Sequence, residues 1–509
     1  MIKAHKLFTL VLLLSLVPHF SAVAADKTSL TIYSSVSPGS VSPNMYRPLS
    51  NTDNGSWLYG NQVPGYAVIR EQREIDLNVG TNTVKFADVA AFIDPTTVSF
   101  ISLTDPSGTS VLEQDYHFDL VSNQKLLERY LGQDITVDQE LGTGVQSVSG
   151  KLLSAAGGLI LQDQTGKVTS IKNYSGIHFP ELPGGLITKP TLIWTVDTDK
   201  SGKQTVETSY QTEGLTWWAD YNALYSENKE GNGGYLDLGA WVSIVNKSGA
   251  SFDDAKLKLI AGDVHHVEPP QARLAVDAAK AFISDETKAG FAEKAFFEFH
   301  LYTLGRATTI PDNSTKQIEL FPTVTRVPVE KQFVYYGAAL PYYGSLMKNR
   351  DLGIESNKKV DVYLKFKNNK AAGLGIPLPA GRLRVSKQDE ADGSIEFIGE
   401  DIIDHTPKDE DVLIKMGEAF DIVGERRQVD FHVDDARHTM EETIEITLSN
   451  HKDNDEVVIV KENMFRGPDW EIINPSNKYD KIDAHTIYFP VSVKKDDTSK
   501  LQYTVRYTW

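Results

Sequence analysis

Apolar and polar residues alternate one by one along much of this chain, and a period of two marks strands that bury one face. The alternation is clearest over residues 360–366, 443–448, 486–493 and the closing 501–509. Further strands are expected around 66–77, 83–86 and 98–103. Short clusters of Gly, Asn, Asp and Pro separate the runs, which argues for sandwiches or barrels rather than βαβ units. Only 272–294 reads as helical, where Ala275, Ala278, Ala279, Phe282, Ala289, Phe291 and Ala292 are mixed with charges. Ser284-Asp285 and Gly290 interrupt it, so a short helix or crossover loop is expected there. The fold class that follows is all-β and multi-domain: immunoglobulin-like β-sandwiches with a small inserted β-barrel-like module and little helix.

Five stretches divide the chain. Residues 1–24 read as a signal peptide, 25–125 as an N-terminal β-domain, and 126–190 as a small inserted β-barrel-like module with Gly-rich turns. Residues 191–335 read as a β-sandwich carrying the 272–294 segment, and 336–509 as a C-terminal sandwich region of one or two modules. From residue 191 onward one theme returns three times: an alternating strand ends in an asparagine turn. The instances end at Asn246, at Asn368-Asn369 and at Asn450, a pattern suited to the corners of immunoglobulin-like sandwiches.

Composition narrows the setting. Lys3 and Lys6, the apolar run 7–17 and Ser21-Ala22-Val23-Ala24 before Ala25 have the form of a cleavable secretory leader. No later run approaches the ~20 apolar residues of a transmembrane helix. The chain has no cysteine, so each core must hold by packing alone, and export without cysteines points to the periplasm or cell surface of a Gram-negative bacterium. The formal charge of −18 makes nucleic acid an unsuitable partner. Residues 389–456 contain 22 acidic and 6 basic side chains, read as a solvated acidic face, with calcium as the one cofactor such a stretch would hold.

Candidate chemistry is thin. His265-His266 with Glu268 gathers imidazoles and a carboxylate, but neighbours on a strand point to opposite faces and cannot readily share a metal. Asp197–Gly202 and Asp392–Gly393 copy parts of a calcium loop, yet Thr208 and Gly399 stand where the bidentate Glu is required. Tight turns account for both. Ser345 and Lys348 have the Ser-x-x-Lys spacing without the motifs that accompany it. Carboxylate pairs suited to glycoside hydrolysis cannot be read from a sequence with 69 acids. The most distinctive cluster is 214–225. On a strand, Trp217, Ala219, Tyr221 and Ala223 share one face, and Trp218, Asp220 and Asn222 share the other. Trp218 beside Asp220 and Asn222 makes a candidate sugar-stacking patch, with a module interface or strand corner as the alternative. An aromatic C-terminus after an alternating strand also has the form of an outer-membrane barrel signal, but the strands are irregular in length. Trp509 is expected to close the last sandwich instead.

At the tryptophan cluster and at 255–264 the chain resembles the bacterial mucoidy-inhibitor-like exported proteins that carry a C-terminal domain of unknown function. Leu378-Pro379-Ala380-Gly381-Arg382-Leu383-Arg384-Val385, Gly424-Glu425-Arg426-Arg427, Leu448-Ser449-Asn450-His451-Lys452 and Tyr507-Thr508-Trp509 continue the likeness in order. Longer relatives place a coiled coil between their halves; here no sustained heptads occur, and the 126–190 module occupies that region. The resemblance implies an exported β-rich protein linked to exopolysaccharide or the cell envelope, and no catalytic residue. The function expected is a non-enzymatic envelope protein that binds a glycan or another protein. A carboxylate-dependent hydrolase of polysaccharide or peptide and an outer-membrane-associated protein are the alternatives.

Overall fold

In the computed structural model of the chain, residues 27–33, 63–141, 144–184, 186–228, 233–262, 264, 291–338, 340–342 and 344–509 are described. The stretch 1–24 expected to be a signal peptide and the His265-His266-Glu268 cluster lie outside them, as does the segment expected to be helical except for its last residues, which open a strand. Among the described residues the architecture is nearly all β, as the alternation requires.

The chain begins with β1 (Lys27–Tyr33), β2 (Tyr66–Leu77), β3 (Gly80–Ala87), β4 (Ile93–Ser102) and β5 (Thr109–His117). The inserted module follows as α1 (Asn123–Arg129), β6 (Asp134–Leu141), β7 (Gly144–Ser154), β8 (Leu159–Gln162), β9 (Val168–Ile171) and β10 (Gly176–His178). Ser122 caps α1 by accepting the Lys125 N–H at 3.2 Å. The module's strands run in the order β10-β6-β7-β8-β9, an open sheet whose ends do not pair, rather than a closed barrel. It packs its own core of Tyr130, Ile135, Val137, Leu152, Leu159, Leu161 and Ile171.

β11 (Thr191–Thr198) and β12 (Gly202–Glu213) then return to the first sandwich. β11 lies between β3 and β5, and β12 between β2 and β4. The cut expected at 190/191 is therefore the end of the insertion, and the N-terminal sandwich closes only at Glu213. The opposed sheets meet over Leu30, Ile69, Phe86, Leu192, Trp194 and Val196.

The remaining strands are β13 (Leu215–Glu227), β14 (Gly234–Asn246), β15 (Phe252–Ala261), β16 (Phe291–Phe296), β17 (Phe299–Leu304), β18 (Thr308–Ile310), β19 (Ser314–Tyr336) and β20 (Lys359–Lys367). After them come β21 (Gly381–Gln388), β22 (Ile395–Ile403), β23 (Asp411–Asp434), β24 (Thr439–Asn450), β25 (Glu456–Asn463), β26 (Trp470–Ile473), β27 (Asp480–Lys481), β28 (Thr486–Val493) and β29 (Asp497–Thr508). One sheet runs β22-β21-β13-β14-β19-β20-β23-β24-β29-β26, with β25 linking β19 to β28. The long strands β19 and β23 pass from one core to the next. Ile318 and Val327 of β19 pack in the cluster shared with the N-terminal sandwich, and Phe333 and Tyr335 pack in the C-terminal one. Each turns its faces at a local irregularity: Arg326 at φ 58° in β19, and Gly417 at φ 133° where β23 slips register against β20. β29 pairs with β24 and β26, and Lys348 Nζ lies 3.9 Å over the Trp509 ring, so the C-terminus does close the last sandwich.

The asparagine theme is a structural repeat. Asn246, Asn368 and Asn450 are each wholly buried. The Asn246 amide donates to the carbonyls of Ala250, Ile310 and Pro311 at 2.8, 3.2 and 3.0 Å. Asn368 donates to Ile376, Thr406 and Pro407 at 2.7, 3.5 and 2.9 Å, and Asn450 to Asn454, Val493 and Lys494 at 2.8, 3.3 and 3.2 Å. Each Oδ1 accepts a backbone N–H, from Ser248, Gly375 and Lys452 respectively. Every corner thus ties the end of a strand to two consecutive carbonyls of a later segment.

The foot of β13 is held by charge. Glu227 Oε2 lies 2.9 Å from Lys387 Nζ on β21, and Oε1 lies 3.1 Å from Lys331 Nζ on β19. Hydrogen bonds from Lys387 and then Lys331 pull the Glu227 carboxyl down from 4.5 to about 2. A depressed carboxyl stabilises the fold above pH 4.5, and that contribution is lost as pH falls towards about 2. In Lys387→Met, the Glu227 titration followed by NMR of glutamate-labelled protein should move up towards the ordinary value. A midpoint that stays at about 2 would contradict the assignment.

Candidate binding face on the central sheet

β13 carries an apolar face towards the core and a mixed face outward, as its parity requires. Inside, Trp217, Ala219, Tyr221, Ala223 and Tyr225 are buried. Trp217 Nε1 donates to the Ile260 carbonyl at 3.3 Å, and the Tyr221 hydroxyl donates to that of Pro379 at 2.7 Å. These contacts fix the strand and hence what it shows to water.

Outside, Asp220 is the hub. It is only 7% exposed and accepts from Trp218 Nε1 at 2.8 Å, Ser243 Oγ at 2.6 Å and Arg384 Nη1 at 3.3 Å. Gln317 Nε2 donates to Ser243 Oγ at 3.0 Å, and Arg384 Nε lies 3.3 Å from Glu400 Oε2. The network runs over β22, β21, β13, β14 and β19 and locks the Trp218 ring in place. Asn222 is exposed beside it.

The register brings further groups onto this face. Trp241 of β14 stands opposite Asp220 and is 41% exposed. Arg382 of β21 is in register with Asp220 on the other side, and Glu319 of β19 is paired with Trp241. Gly239 lies opposite Asn222, and a Cβ there would sit 3.0 Å from Thr323 Oγ1, so a larger residue would press on that hydroxyl beside Trp241. The result is a platform with one exposed indole, a second indole pinned at its side, and polar groups in rows around them.

Trp218, Asp220 and Asn222 therefore share one face, as their spacing implies. Trp241, Arg382 and Arg384 complete the platform and were not singled out from sequence. Trp241 was detectable from its parity with Ser243 and Gly239, whereas the two arginines reach the site only through the parallel pairing of β21 with β13.

The other candidates resolve into structure. Asp197–Gly202 forms the connection between β11 and β12, where Thr208, the twelfth calcium-loop position, is buried in β12. Asp392 accepts the Ser394 N–H at 2.8 Å in the turn between β21 and β22. No group of three or more His, Asp or Glu side chains among the described residues is placed to hold a metal. Lys348 is paired with Asp435 at 2.6 Å and not with Ser345. Ser147 and His178 both bond Asp138, at 2.6 and 2.8 Å, an order in which the imidazole does not bridge hydroxyl and carboxylate as a nucleophilic triad needs. No helix among the described residues is long and apolar enough to cross a membrane. No family model matches this chain, and no curated protein matches it either.

Proposed function

We propose that this chain is an exported cell-envelope protein, related to the mucoidy-inhibitor-like proteins, that acts by binding and holds a glycan on the outer face of its central sheet. The observation that carries the reading is Trp241, 41% exposed on the sheet face in register with Asp220. An exposed indole stacks on the apolar C–H face of a pyranose, while Asn222, Arg382 and Glu319 offer hydrogen bonds to its hydroxyls. The carboxylates of this face do not favour hydrolysis: Asp220 accepts from Trp218, Ser243 and Arg384, and Glu400 is held by the same Arg384, so the close pair is tied up in the network rather than free to transfer a proton.

A protein partner is the second reading. Ile395, Phe397 and Ile402 are exposed on the same face of β22, in register with Gln388, Ser386 and Arg382, and aliphatic side chains contribute little to sugar recognition. Calorimetric titration with soluble envelope glycans separates the two. Trp241→Ala should weaken glycan binding roughly tenfold or more, about 1.4 kcal/mol, with no change in melting. Unchanged affinity in that variant, or no glycan bound by the wild type, would sink the proposal.

A further inference from the structure

The inserted module carries a concave site of its own, remote in sheet and in core from the platform around Trp241. Its cavity measures about 550 Å3, within the ~300–1,000 Å3 usual for small-ligand pockets. The floor is made by Thr136 of β6 and Ser149 of β7, whose hydroxyls lie 2.8 Å apart. Asp163, in the turn between β8 and β9, forms one wall, and His178 and Phe179 at the end of β10 form the other. Phe179 packs against Tyr130 at 5.1 Å, so its ring is held in position.

The charges select the ligand. The lining contains the carboxylates of Asp134 and Asp163 and no lysine or arginine. Asp163 Oδ1 is occupied by its own turn, accepting the Thr165 N–H, the Thr165 hydroxyl and the Lys167 N–H at 2.9, 2.6 and 3.0 Å. Oδ2 takes none of these bonds. Asp134 makes no side-chain hydrogen bond or ion pair among the described residues, and both it and His178 are exposed, so the module's core does not depend on them. Asp138, directly behind, orients His178 through the 2.8 Å contact.

We infer that this cavity binds a sugar bearing a free amine, a deacetylated hexosamine unit. A lining with two carboxylates and no lysine or arginine attracts an ammonium and repels an anion, and Lys151, across from Asp134, and Lys167, at the Asp163 turn, stand outside it. The hydroxyls of Thr136 and Ser149 suit the remaining sugar hydroxyls, and the Phe179 ring suits the C–H face of the pyranose. The setting agrees, because a compact module inserted between β5 and β11 of a rigid sandwich is where binding groups accumulate without cost to the host fold.

The test is calorimetric titration of the full chain with tri-glucosamine and with its N-acetylated counterpart. The free-amine form should bind saturably, roughly tenfold or more tightly than the acetylated form, and more weakly as salt rises. Asp134→Asn should weaken that binding severalfold. Asp163→Asn, which keeps the Oδ1 acceptor that holds the turn, should do the same with an unchanged melting temperature. Trp241→Ala should leave it untouched, which separates this site from the sheet face. Equal affinity for the two sugars, indifference to both Asp variants, loss in Trp241→Ala, or no saturable binding up to millimolar sugar would each overturn the inference.

Discussion

Asn450→Asp should cost the C-terminal sandwich more stability than Asn450→Ala, although aspartate differs from asparagine by a single group. Asn450 is wholly buried, and its amide donates to the carbonyls of Asn454, Val493 and Lys494. Alanine removes the four hydrogen bonds to those carbonyls and from the Lys452 N–H, a loss of about 2–6 kcal/mol at ~0.5–1.5 kcal/mol net per bond. Aspartate keeps the bond from Lys452 but sets a carboxylate against three carbonyl oxygens in a site closed to solvent. Its pKa in the folded state must therefore lie above that in the unfolded state. The penalty is largest at neutral pH and shrinks as pH falls through the raised folded value, because a protonated carboxyl can donate one bond again. Urea titrations of both variants at pH 7 and pH 5 read this directly. If Asn450→Asp is no less stable than Asn450→Ala at pH 7, the three-carbonyl corner is not what fixes this strand end. The equivalent variants at Asn246 and Asn368 should rank the same way, because their partners do.

This corner marks how far the sequence could be read. The recurrence of an asparagine after an alternating strand was visible, and so were the strands themselves: Thr486–Val493 has the bounds its pattern implies, and the run at 360–366 lies inside β20. The carbonyls that each asparagine serves lie up to 65 residues away, and no local pattern points to them. The same locality explains the domain boundaries. The 126–190 module is built from neighbouring strands joined by short turns, so it stood out. The return of β11 and β12 to the N-terminal sandwich rests on pairings such as Val206 with Ser102, across more than a hundred residues of chain. β19 was hidden for another reason: Pro322 and Pro328 interrupt the alternation, which ordinarily argues against a strand. Both prolines are exposed, and Pro322 falls where the register against β14 slips, whereas Pro328 stays paired with Tyr235. At the platform, parity alone placed Trp218, Asp220 and Asn222 together. Arg384, which bonds Asp220, comes from 164 residues further on, and pairing of that range is a property of the folded sheet alone.

Arg466→Met should destabilise the C-terminal sandwich by about 3–5 kcal/mol, the range for removing one partner of a buried ion pair. Such a loss is a large share of the ~5–15 kcal/mol that holds a typical domain. Arg466 is wholly buried and grips Glu442 with two bonds, Nε to Oε2 at 2.9 Å and Nη2 to Oε1 at 3.0 Å. Its remaining donors reach the carbonyls of Asn349 and Leu352, each at 2.6 Å, and of Met347 at 3.3 Å. One guanidinium thus satisfies a carboxylate and fastens the segment that joins β19 to β20. A second buried pair repeats the arrangement: Arg426 Nε bonds Glu462 Oε2 at 3.0 Å, and its Nη1 donates to the Gly353 carbonyl at 2.8 Å. Parity sets Glu442 in line with Ile444 and Ile446, and Glu462 in line with Val458 and Val460, on the buried face, but the arginines that neutralise them come from other segments, so neither pair was visible beforehand. In Arg466→Met, Glu442 keeps only the 2.7 Å bond from Gln428 Nε2 and is left as an uncompensated buried charge. Glu442→Gln, placed in the same variant, removes that charge and should recover part of the loss, giving a favourable coupling of ~1–3 kcal/mol in the double-mutant cycle. Limited proteolysis distinguishes the two roles of the arginine. Cleavage within 344–358 should rise in Arg466→Met and in the double variant, because both lose the carbonyl contacts, but not in Glu442→Gln alone. Additive losses in the cycle, or cleavage that follows Glu442 rather than Arg466, would show that the guanidinium is not the clasp between this segment and the core.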